Sequence, residues 1–320
     1  MSTSRIGLGL AALGRPAYIN LGHAEDLGGD RSVRALERHC HRVLLAAWRG
    51  GVRHFDVARS YGRGEHFLGT WLKVVDPRGA QAFVSSKWGY TYTAGWRVFV
   101  DVHEEKDHGL AALERQWPES WERLGRWLKL YQIHSVTPKS PVLADRAVLD
   151  RLRQLRANGV RIGLSVSGPR QGRCIDEALA VHAEEPVFDS VQATWNLLET
   201  SAGPALARAH AAGLQVIVKE GLANGRLTRR NMEGGFTNTA ELLAREAERL
   251  STGMDAVSLA AVLAQPWADV VLSGAATVDQ LHENLAAEQL AIDRRTLVRF
   301  AALSEPAEAY WTRRARLRWT

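Results

Sequence analysis

Short apolar runs alternate with longer segments in which apolar residues recur every three to four positions. The runs Val52–Ala58 and Leu128–His134 are apolar over most of their length, which favours strands buried on both faces. The segments Ser32–Arg49 and Asp145–Ala157 place their apolar residues on one side, which predicts amphipathic helices. Strand and helix alternate about eight times, a rhythm typical of a parallel sheet covered by helices.

Two folds share this rhythm. A (β/α)8 TIM barrel of about 250 residues plus insertions accounts for the chain length of 320 residues. A doubly wound sheet is the alternative, but its first strand usually leads into Gly-x-Gly-x-x-Gly, and Gly7-Leu8-Gly9 lacks the third glycine. The sequence therefore predicts a single barrel domain over residues 1–320. A large loop at residues 88–109 and a C-terminal tail at residues 288–320 are expected near the barrel mouth.

Composition narrows the class of protein. Apolar residues make up 46% and charged residues 24% of the chain, as in ordinary globular proteins. Cys40 and Cys174 are the two cysteines, too few for a disulfide framework or a four-cysteine zinc site, and they suit a reducing compartment. The apolar runs are shorter than a secretory core or a membrane span. These features predict a cytoplasmic protein that does not bind a membrane.

Charge adds little to this picture. The 41 Lys and Arg residues are interspersed with 35 acidic residues, giving a net charge of +6. The terminal cluster from Arg313 to Arg318 is interpreted as a solvated basic tail, so no nucleic-acid partner is predicted. His103–His108 contains metal-ligand residue types without the spacing of a known site, so a charged loop and no metal are predicted. The oligomeric state stays open.

Polar residues at strand ends point to chemistry, because the active site of such a barrel lies where its strands end. Asp56, Lys87 and His134 end three consecutive predicted strands, and Tyr61 follows Asp56 by five residues. A lysine beside a tyrosine favours the phenolate and lowers the pKa of the phenol, which then serves as a proton donor. Any one of these residues alone fits a buried ion pair or a core histidine. Their combination on neighbouring strand ends favours a catalytic site.

Three segments resemble the catalytic segments of the aldo-keto reductases. They are Phe55-Asp56-Val57-Ala58-Arg59-Ser60-Tyr61-Gly62, Ser86-Lys87 and Gln132-Ile133-His134. Other segments similar to this family are Gly163-Leu164-Ser165, Val191-Gln192, Trp195-Asn196-Leu197-Leu198 and Gly274-Ala275 through Asn284. The resemblance runs in order from Ile6 to Ala287. It implies a (β/α)8 barrel and reversible hydride transfer between a nicotinamide and the carbonyl of a small molecule.

The resemblance also implies residue roles. Tyr61 would be the general acid, Lys87 would lower its pKa, Asp56 would hold Lys87, and His134 would orient the carbonyl oxygen. The cofactor would be NADPH, bound in an extended form. The residues that correspond to its contacts are Ser165, Gln192, Lys219, Gly274, Gln280, Glu283 and Asn284.

Some positions depart from the family pattern. Lys219 stands where an aromatic residue often stacks on the nicotinamide, and Gly274 and Gln280 stand where a lysine and an arginine often hold the 2′-phosphate. NADPH is therefore expected to be preferred by a small margin, with NADH possible. Two alternatives to a reductase stay open. One is a non-catalytic sensor subunit that binds NADP(H), and the other is a redox-neutral isomerase with a tightly held cofactor.

The substrate pocket is predicted from aromatic residues. Trp88, Tyr90 and Trp96 lie in the segment 88–109, and Trp195 follows a later strand. At a barrel mouth they would line a pocket for a bulky or cyclic carbonyl or alcohol substrate. The equally weighted alternative is a loop that packs its own small core.

Overall fold

A closed ring of eight parallel strands forms the centre of the molecule. The computed structural model describes residues 4–231 and 237–320. The strands are β1 (Ile6–Gly9), β2 (His54–Asp56), β3 (Phe83–Trp88), β4 (Tyr90–Tyr92), β5 (Glu104–Lys106), β6 (Leu128–Val136), β7 (Arg161–Val166), β8 (Ser190–Thr194), β9 (Gln215–Lys219) and β10 (Val270–Ser273). Eight of them pair in the order β1-β10-β9-β8-β7-β6-β3-β2 and close on themselves. The predicted (β/α)8 barrel is confirmed, and an open doubly wound sheet is excluded.

Helices surround this ring and continue into the C-terminal segment. They are α1 (His23–Leu27), α2 (Val33–Arg49), α3 (Gly64–Val75), α4 (Leu110–Leu124), α5 (Arg146–Ala157), α6 (Gln171–Glu184), α7 (Gly203–Ala211), α8 (Thr237–Arg249), α9 (Met254–Leu263), α10 (Val278–Leu285), α11 (Arg294–Ala301) and α12 (Ala307–Ala315). In the described ranges, none of them is both long and apolar enough to cross a membrane.

Helix α2 shows how the sequence specifies these elements. The Ser32 side chain accepts a hydrogen bond from a backbone N–H of the first turn, which satisfies a donor that the helix itself cannot. Leu36 and Val43 belong to its buried face, at the spacing of a helix packed on a sheet. After the helix, Gly51 adopts a φ of 91°, a conformation that glycine takes without strain. The chain then reverses into β2.

The barrel interior is apolar at its base and polar at its mouth. Most of the core lies between the strands and the helices, around residues such as Phe55 and Ile162. A smaller cluster joins Leu130 of β6 to Ile217 and Leu272 of β9 and β10. Because β6 and β9 are not neighbours in the ring, these side chains meet across its interior. These apolar side chains fill the barrel interior below the polar residues that end the strands.

Two segments cover the mouth. In residues 88–109, predicted as a loop, β4 and β5 form an antiparallel pair with Tyr90 opposite Lys106. Half of the charged run His103–His108 is thus strand. Nowhere in residues 4–231 and 237–320 do three or more His, Cys, Asp or Glu side chains converge as metal ligands. At the other terminus, Thr320 and Tyr18 exchange backbone hydrogen bonds of 3.1 and 3.2 Å. These bonds fix the end of the chain across the loop that follows β1.

Candidate active site

A cavity of about 680 Å³ lies at the mouth of the barrel. At one end it is lined by Asp56, Tyr61 and His134, and at the other by the chain from Leu272 to Asn284, which includes part of α10. Its size is that of sites for cofactors and small molecules. The cavity therefore connects the predicted catalytic residues to the predicted cofactor contacts.

Asp56 and Lys87 form a buried ion pair on the neighbouring strands β2 and β3. Their side chains are 3% and 1% exposed. The ammonium of Lys87 contacts the Asp56 carboxylate and donates a hydrogen bond of 3.1 Å to the carbonyl of Val57. Asp56 also accepts hydrogen bonds from the Ser85 hydroxyl at 2.6 Å and the Gln192 amide at 3.0 Å. These extra partners compensate the desolvation that makes an isolated buried pair costly.

Tyr61 lies next to this pair and to His134. The ammonium of Lys87 is 5.2 Å from the centre of the Tyr61 ring, and the rings of Tyr61 and His134 meet edge to face at 5.6 Å. Burial, followed by the Asp56 carboxylate, raises the pKa of the Tyr61 phenol above its usual value of 10. The pKa therefore lies above its usual value, whereas a lowered pKa was predicted, because burial and the Asp56 carboxylate outweigh the lowering by the nearby Arg15. The phenol is therefore protonated at neutral pH.

His134 is neutral in this setting. Burial, then the cations of Lys87 and Lys219, hold the pKa of its imidazole well below the usual 6.5. In the described part of the chain its buried Nδ1 has no hydrogen-bond partner, and its ring packs against that of Tyr90 at 4.9 Å. A neutral imidazole keeps one N–H, which can be donated to a carbonyl oxygen without adding charge to the site.

A second charged group follows the end of β9. Lys219 donates a hydrogen bond of 2.9 Å to the Thr194 hydroxyl and lies 3.9 Å from the Glu220 carboxylate. Burial lowers the pKa of Lys219 to about 8. Burial acts to raise the pKa of Glu220, but Arg314 and Lys219 outweigh it and hold that pKa at about 2. Arg314, on α12, forms two hydrogen bonds to Glu220, at 2.8 and 2.5 Å, and so ties the C-terminal segment to the barrel.

Six of the seven predicted cofactor contacts lie on the cavity. They are Gln192, Lys219, Gly274, Gln280, Glu283 and Asn284. Ser165 is fully buried, and its hydroxyl oxygen accepts a hydrogen bond of 2.8 Å from the backbone N–H of Ser135. Ser135 lines the cavity in its place.

The end of the cavity near α10 is acidic. The Gln280 amide donates hydrogen bonds of 3.0 Å to both carboxylate oxygens of Asp26, which also binds Arg230 at 2.6 and 2.8 Å. Asp255 and Glu283 line the same region. Burial, then the nearby Glu283, raise the pKa of Asp255 to about 6. A carboxylate, that of Asp26, thus contacts Gln280, one of the two positions at which a cation was absent from the sequence.

The four aromatic residues predicted to line the pocket lie behind its surface. Trp88 is fully buried, because side chains alternate along a strand and Lys87 takes the inward direction on β3. The Trp96 indole donates a hydrogen bond of 2.8 Å to the carbonyl of Arg31. Trp195 packs edge-on against Trp267 at 5.4 Å. Trp195, like Trp88, is buried in the main core, Tyr90 and Trp96 are partly buried, and none of the four lines the cavity.

The side chains that do line the substrate side were not predicted from the sequence. Alongside Tyr61, the cavity is bordered here by Arg15, Tyr18, Glu104 and Trp319. Arg15 and Tyr18 lie in the loop that follows β1, a strand end for which no site residue was predicted. Extending the same rule to β1 would have identified that loop. No local sequence pattern predicts the position of Trp319, because that position depends on the path of the whole C-terminal segment.

Comparison with known proteins identifies the family of the chain. The model of the Aldo/keto reductase family matches residues 5–305. An aldo-keto reductase of Gibberella moniliformis is 31% identical over 193 residues, which are 58% of this chain and 54% of that protein, so the match spans about half of that relative. Aldo-keto reductase str7 of Strobilurus tenacellus is 24% identical over 97% of this chain and 90% of its own. The NADH-specific methylglyoxal reductase of Escherichia coli is 26% identical, over 90% of each chain.

Solved structures show the same fold. An aldo-keto reductase from Bacillus halodurans, in its holo form, superposes with a TM-score of 0.71 and 20% identity, covering 96% of this chain and 94% of its own. A glycerol dehydrogenase from Gluconobacter oxydans gives a TM-score of 0.71 and 20% identity, with 95% and 92% covered. With the family match over most of its length and the barrel and cavity described above, this chain belongs to the aldo/keto reductase family of NAD(P)H-dependent oxidoreductases.

Proposed function

We propose that the protein reduces the carbonyl group of a small molecule with a reduced nicotinamide cofactor, and that Tyr61 is the general acid. One observation carries this proposal. Tyr61, His134 and the Asp56–Lys87 pair converge at one end of a cavity, with the phenol protonated and the imidazole neutral. A protonated donor beside a neutral hydrogen-bond donor is what carbonyl reduction requires.

The residues present fit a dinucleotide. Asn224 and Asn284 line the cavity away from Tyr61, and each has a buried amide oxygen without a hydrogen-bond partner among the described residues. A buried acceptor left unpaired costs free energy, so these oxygens favour a ligand with N–H or O–H donors. Gln192, Lys219 and Asn284 would hold the cofactor. When bound, the cofactor supplies the hydride that reduces the carbonyl carbon.

The side chains of the site perform the rest of the reaction. The carbonyl oxygen accepts hydrogen bonds from the Tyr61 hydroxyl and a His134 N–H, and Tyr61 passes its proton to that oxygen as the carbon is reduced. Lys87, held by Asp56, and Arg15 stabilise the phenolate that this leaves. Because the resting phenol is protonated at neutral pH, it enters the reaction in the form that donates a proton. We therefore expect reduction to be favoured over alcohol oxidation at neutral pH.

The acidic end of the cavity bears on cofactor choice. The sequence predicted a small preference for NADPH. Asp255, Asp279 and Glu283 line this end. The arginines that line it with them are Arg230, which is paired with Asp26, and Arg229. Carboxylates repel a 2′-phosphate and accept hydrogen bonds from a free 2′-hydroxyl. We therefore expect NADH to bind at least as tightly as NADPH, as in the NADH-specific relative.

A turnover assay tests the proposal. The purified protein is mixed with a panel of aldehydes, ketones and sugars, and oxidation of NADH or NADPH is followed by its absorbance. Carbonyl-dependent oxidation of either cofactor is the expected result. Tight cofactor binding without turnover of any carbonyl would instead support a sensor. Substrate rearrangement without net cofactor oxidation would support an isomerase.

A further inference from the structure

Arg15 is a buried cation beside the proposed proton donor. It is 2% exposed and lines the cavity. Its guanidinium carbon lies 5.1 Å from the ring centre of Tyr61, 5.1 Å from that of Tyr18 and 4.6 Å from that of Trp319. Three aromatic rings therefore surround the charge, and one of them belongs to the general acid.

The backbone fixes this position. The backbone N–H of Arg63 donates a hydrogen bond of 2.7 Å to the carbonyl of Gly14. A Cβ atom at Gly14 would lie 2.3 Å from the Tyr61 carbonyl oxygen, so only glycine allows the loop after β1 to approach the Tyr61 turn this closely. Arg15 follows Gly14 directly and is held against that turn.

One edge of the guanidinium is left without partners. Nη1 donates hydrogen bonds to the Ser60 carbonyl at 3.1 Å and to Glu104 at 2.9 Å. Within the described residues, the buried Nε has no acceptor and no hydrogen bond involves Nη2. The edge formed by Nε and Nη2 is the fork that binds a carboxylate through two parallel hydrogen bonds. A bound carboxylate would satisfy a buried donor that otherwise costs free energy.

The charges around Tyr61 favour an anion as well. The cations here are Arg15, Lys87, Lys219 and Arg314, and the carboxylates are Asp56, Glu104 and Glu220. Four cations against three carboxylates leave one positive charge, since His134 is neutral. In a buried site, this excess attracts a substrate anion more strongly than it would in water.

We propose that Arg15 binds the carboxylate of the substrate and selects oxo acids in which that carboxylate lies one or two bonds from the carbonyl. The guanidinium carbon is 5.1 Å from the centre of the Tyr61 ring, so a carboxylate on its fork lies close enough to place a neighbouring carbonyl beside Tyr61. The proposal rests on the proposed reductase function and names its substrate class.

The reaction converts an oxo acid, a reduced nicotinamide and a proton into a hydroxy acid and an oxidised nicotinamide. The carbonyl carbon gains a C–H bond from the hydride as the C=O π bond breaks. The oxygen takes the proton of the Tyr61 hydroxyl, and solvent returns a proton to Tyr61. Arg15 takes no part in the bond changes and holds the carboxylate throughout.

The test compares pyruvate with methyl pyruvate, which keeps the 2-oxopropanoyl group and carries no negative charge at neutral pH. The ratio of their kcat/KM values is measured in the wild type and in Arg15→Met. Loss of a desolvated charge pair lowers the ratio of acid to ester by about 30-fold or more. Arg15→Lys, which keeps the charge without the fork, should fall between the two. An unchanged ratio in Arg15→Met would overturn the proposal.

Two further variants serve as controls, each with its own expected result. Glu104→Gln removes a carboxylate beside the guanidinium, so the KM for pyruvate should decrease. Arg63→Met removes an exposed arginine of a neighbouring turn, and its ratio should match that of the wild type. A raised KM for pyruvate in Glu104→Gln, or a ratio in Arg63→Met as low as that of Arg15→Met, would contradict the assignment.

A binding measurement separates this proposal from the reductase function. Oxamate, an isostere of pyruvate that is not reduced, is titrated by calorimetry into protein saturated with NADH. Binding by the wild type and its loss in Arg15→Met support the anchor, even if no carbonyl is turned over. Equal binding by the two proteins refutes the anchor, even if neutral carbonyls are reduced.

Discussion

Replacement of Glu220 by glutamine removes the ion pair that fastens α12 to the end of β9. The Glu220 side chain is 8% exposed and that of Arg314 is 23% exposed. A carboxyl whose pKa is 4.5 when exposed and about 2 in the fold stabilises the folded state by about 3 kcal/mol at neutral pH. We therefore expect Glu220→Gln to lower the free energy of unfolding by about that amount, because Arg314 also loses its partner.

Urea unfolding at several pH values measures this effect. The folded pKa is depressed, so the contribution is complete above the unfolded pKa of 4.5 and is lost as the pH falls towards 2. The difference between wild type and Glu220→Gln should thus shrink to about 1 kcal/mol at pH 3. The control is Asp176→Asn, which breaks an exposed pair with Arg208 and should cost less than about 1 kcal/mol. Equal losses in both variants, or a difference that does not change with pH, would refute the reasoning.

Three other predictions concern the cavity. Burial lowers the pKa of Lys219 to about 8, so the pH profile of kcat/KM should show an inflection near pH 8 in the wild type and lose it in Lys219→Met. Identical profiles in the two proteins would show that Lys219 is not the group that titrates. Removal of residues 317–320 should raise the KM for the carbonyl substrate without changing the Kd of the cofactor. An unchanged KM would show that Trp319 does not contribute to substrate binding. The Kd ratio of NADPH to NADH should fall as the pH drops through 6, where Asp255 takes up a proton. Because the 2′-phosphate itself takes up a proton at about pH 6, Asp255→Asn should weaken this dependence without abolishing it; an undiminished dependence in this variant would contradict the assignment.

The deletion begins after α12 for a structural reason. Tyr310 is 1% exposed and Trp311 is 8% exposed, and both belong to a hydrophobic cluster that includes Leu197 and Phe300. A deletion that begins before these residues would remove part of the core as well as the cover of the cavity. The shorter deletion confines the change to the cavity wall.

The barrel and the positions of Asp56, Lys87 and His134 could be predicted from the sequence. Parallel strands bring their carboxyl ends to one edge, and alternation along each strand decides which side chains face inward. The position of Tyr61 follows from its short distance along the chain from Asp56. Each of these inferences uses only local pattern and the rule that strands of such a barrel end together.

The sequence could not provide the contacts that depend on distant segments. The ring of Trp319 stacks on His103 at 4.1 Å, a contact set by the path of the C-terminal chain. Trp88 was expected on the cavity because of its residue type, yet alternation on β3 directs it into the core. The pKa of Tyr61 was expected to fall, whereas burial, which depends on distant segments, raises it.

The central claim is that Tyr61 donates the proton in carbonyl reduction, and Tyr61→Phe tests it most directly. The variant keeps the ring that packs against His134 at 5.6 Å and removes only the hydroxyl. Reduced cofactor is bound to wild type and variant, its Kd is measured by fluorescence, and its oxidation after mixing with carbonyl substrate is followed over a single turnover. We expect similar cofactor Kd values and a reduction rate that is lower in the variant by about 10² to 10⁴. A single-turnover rate in Tyr61→Phe close to that of the wild type would contradict the account.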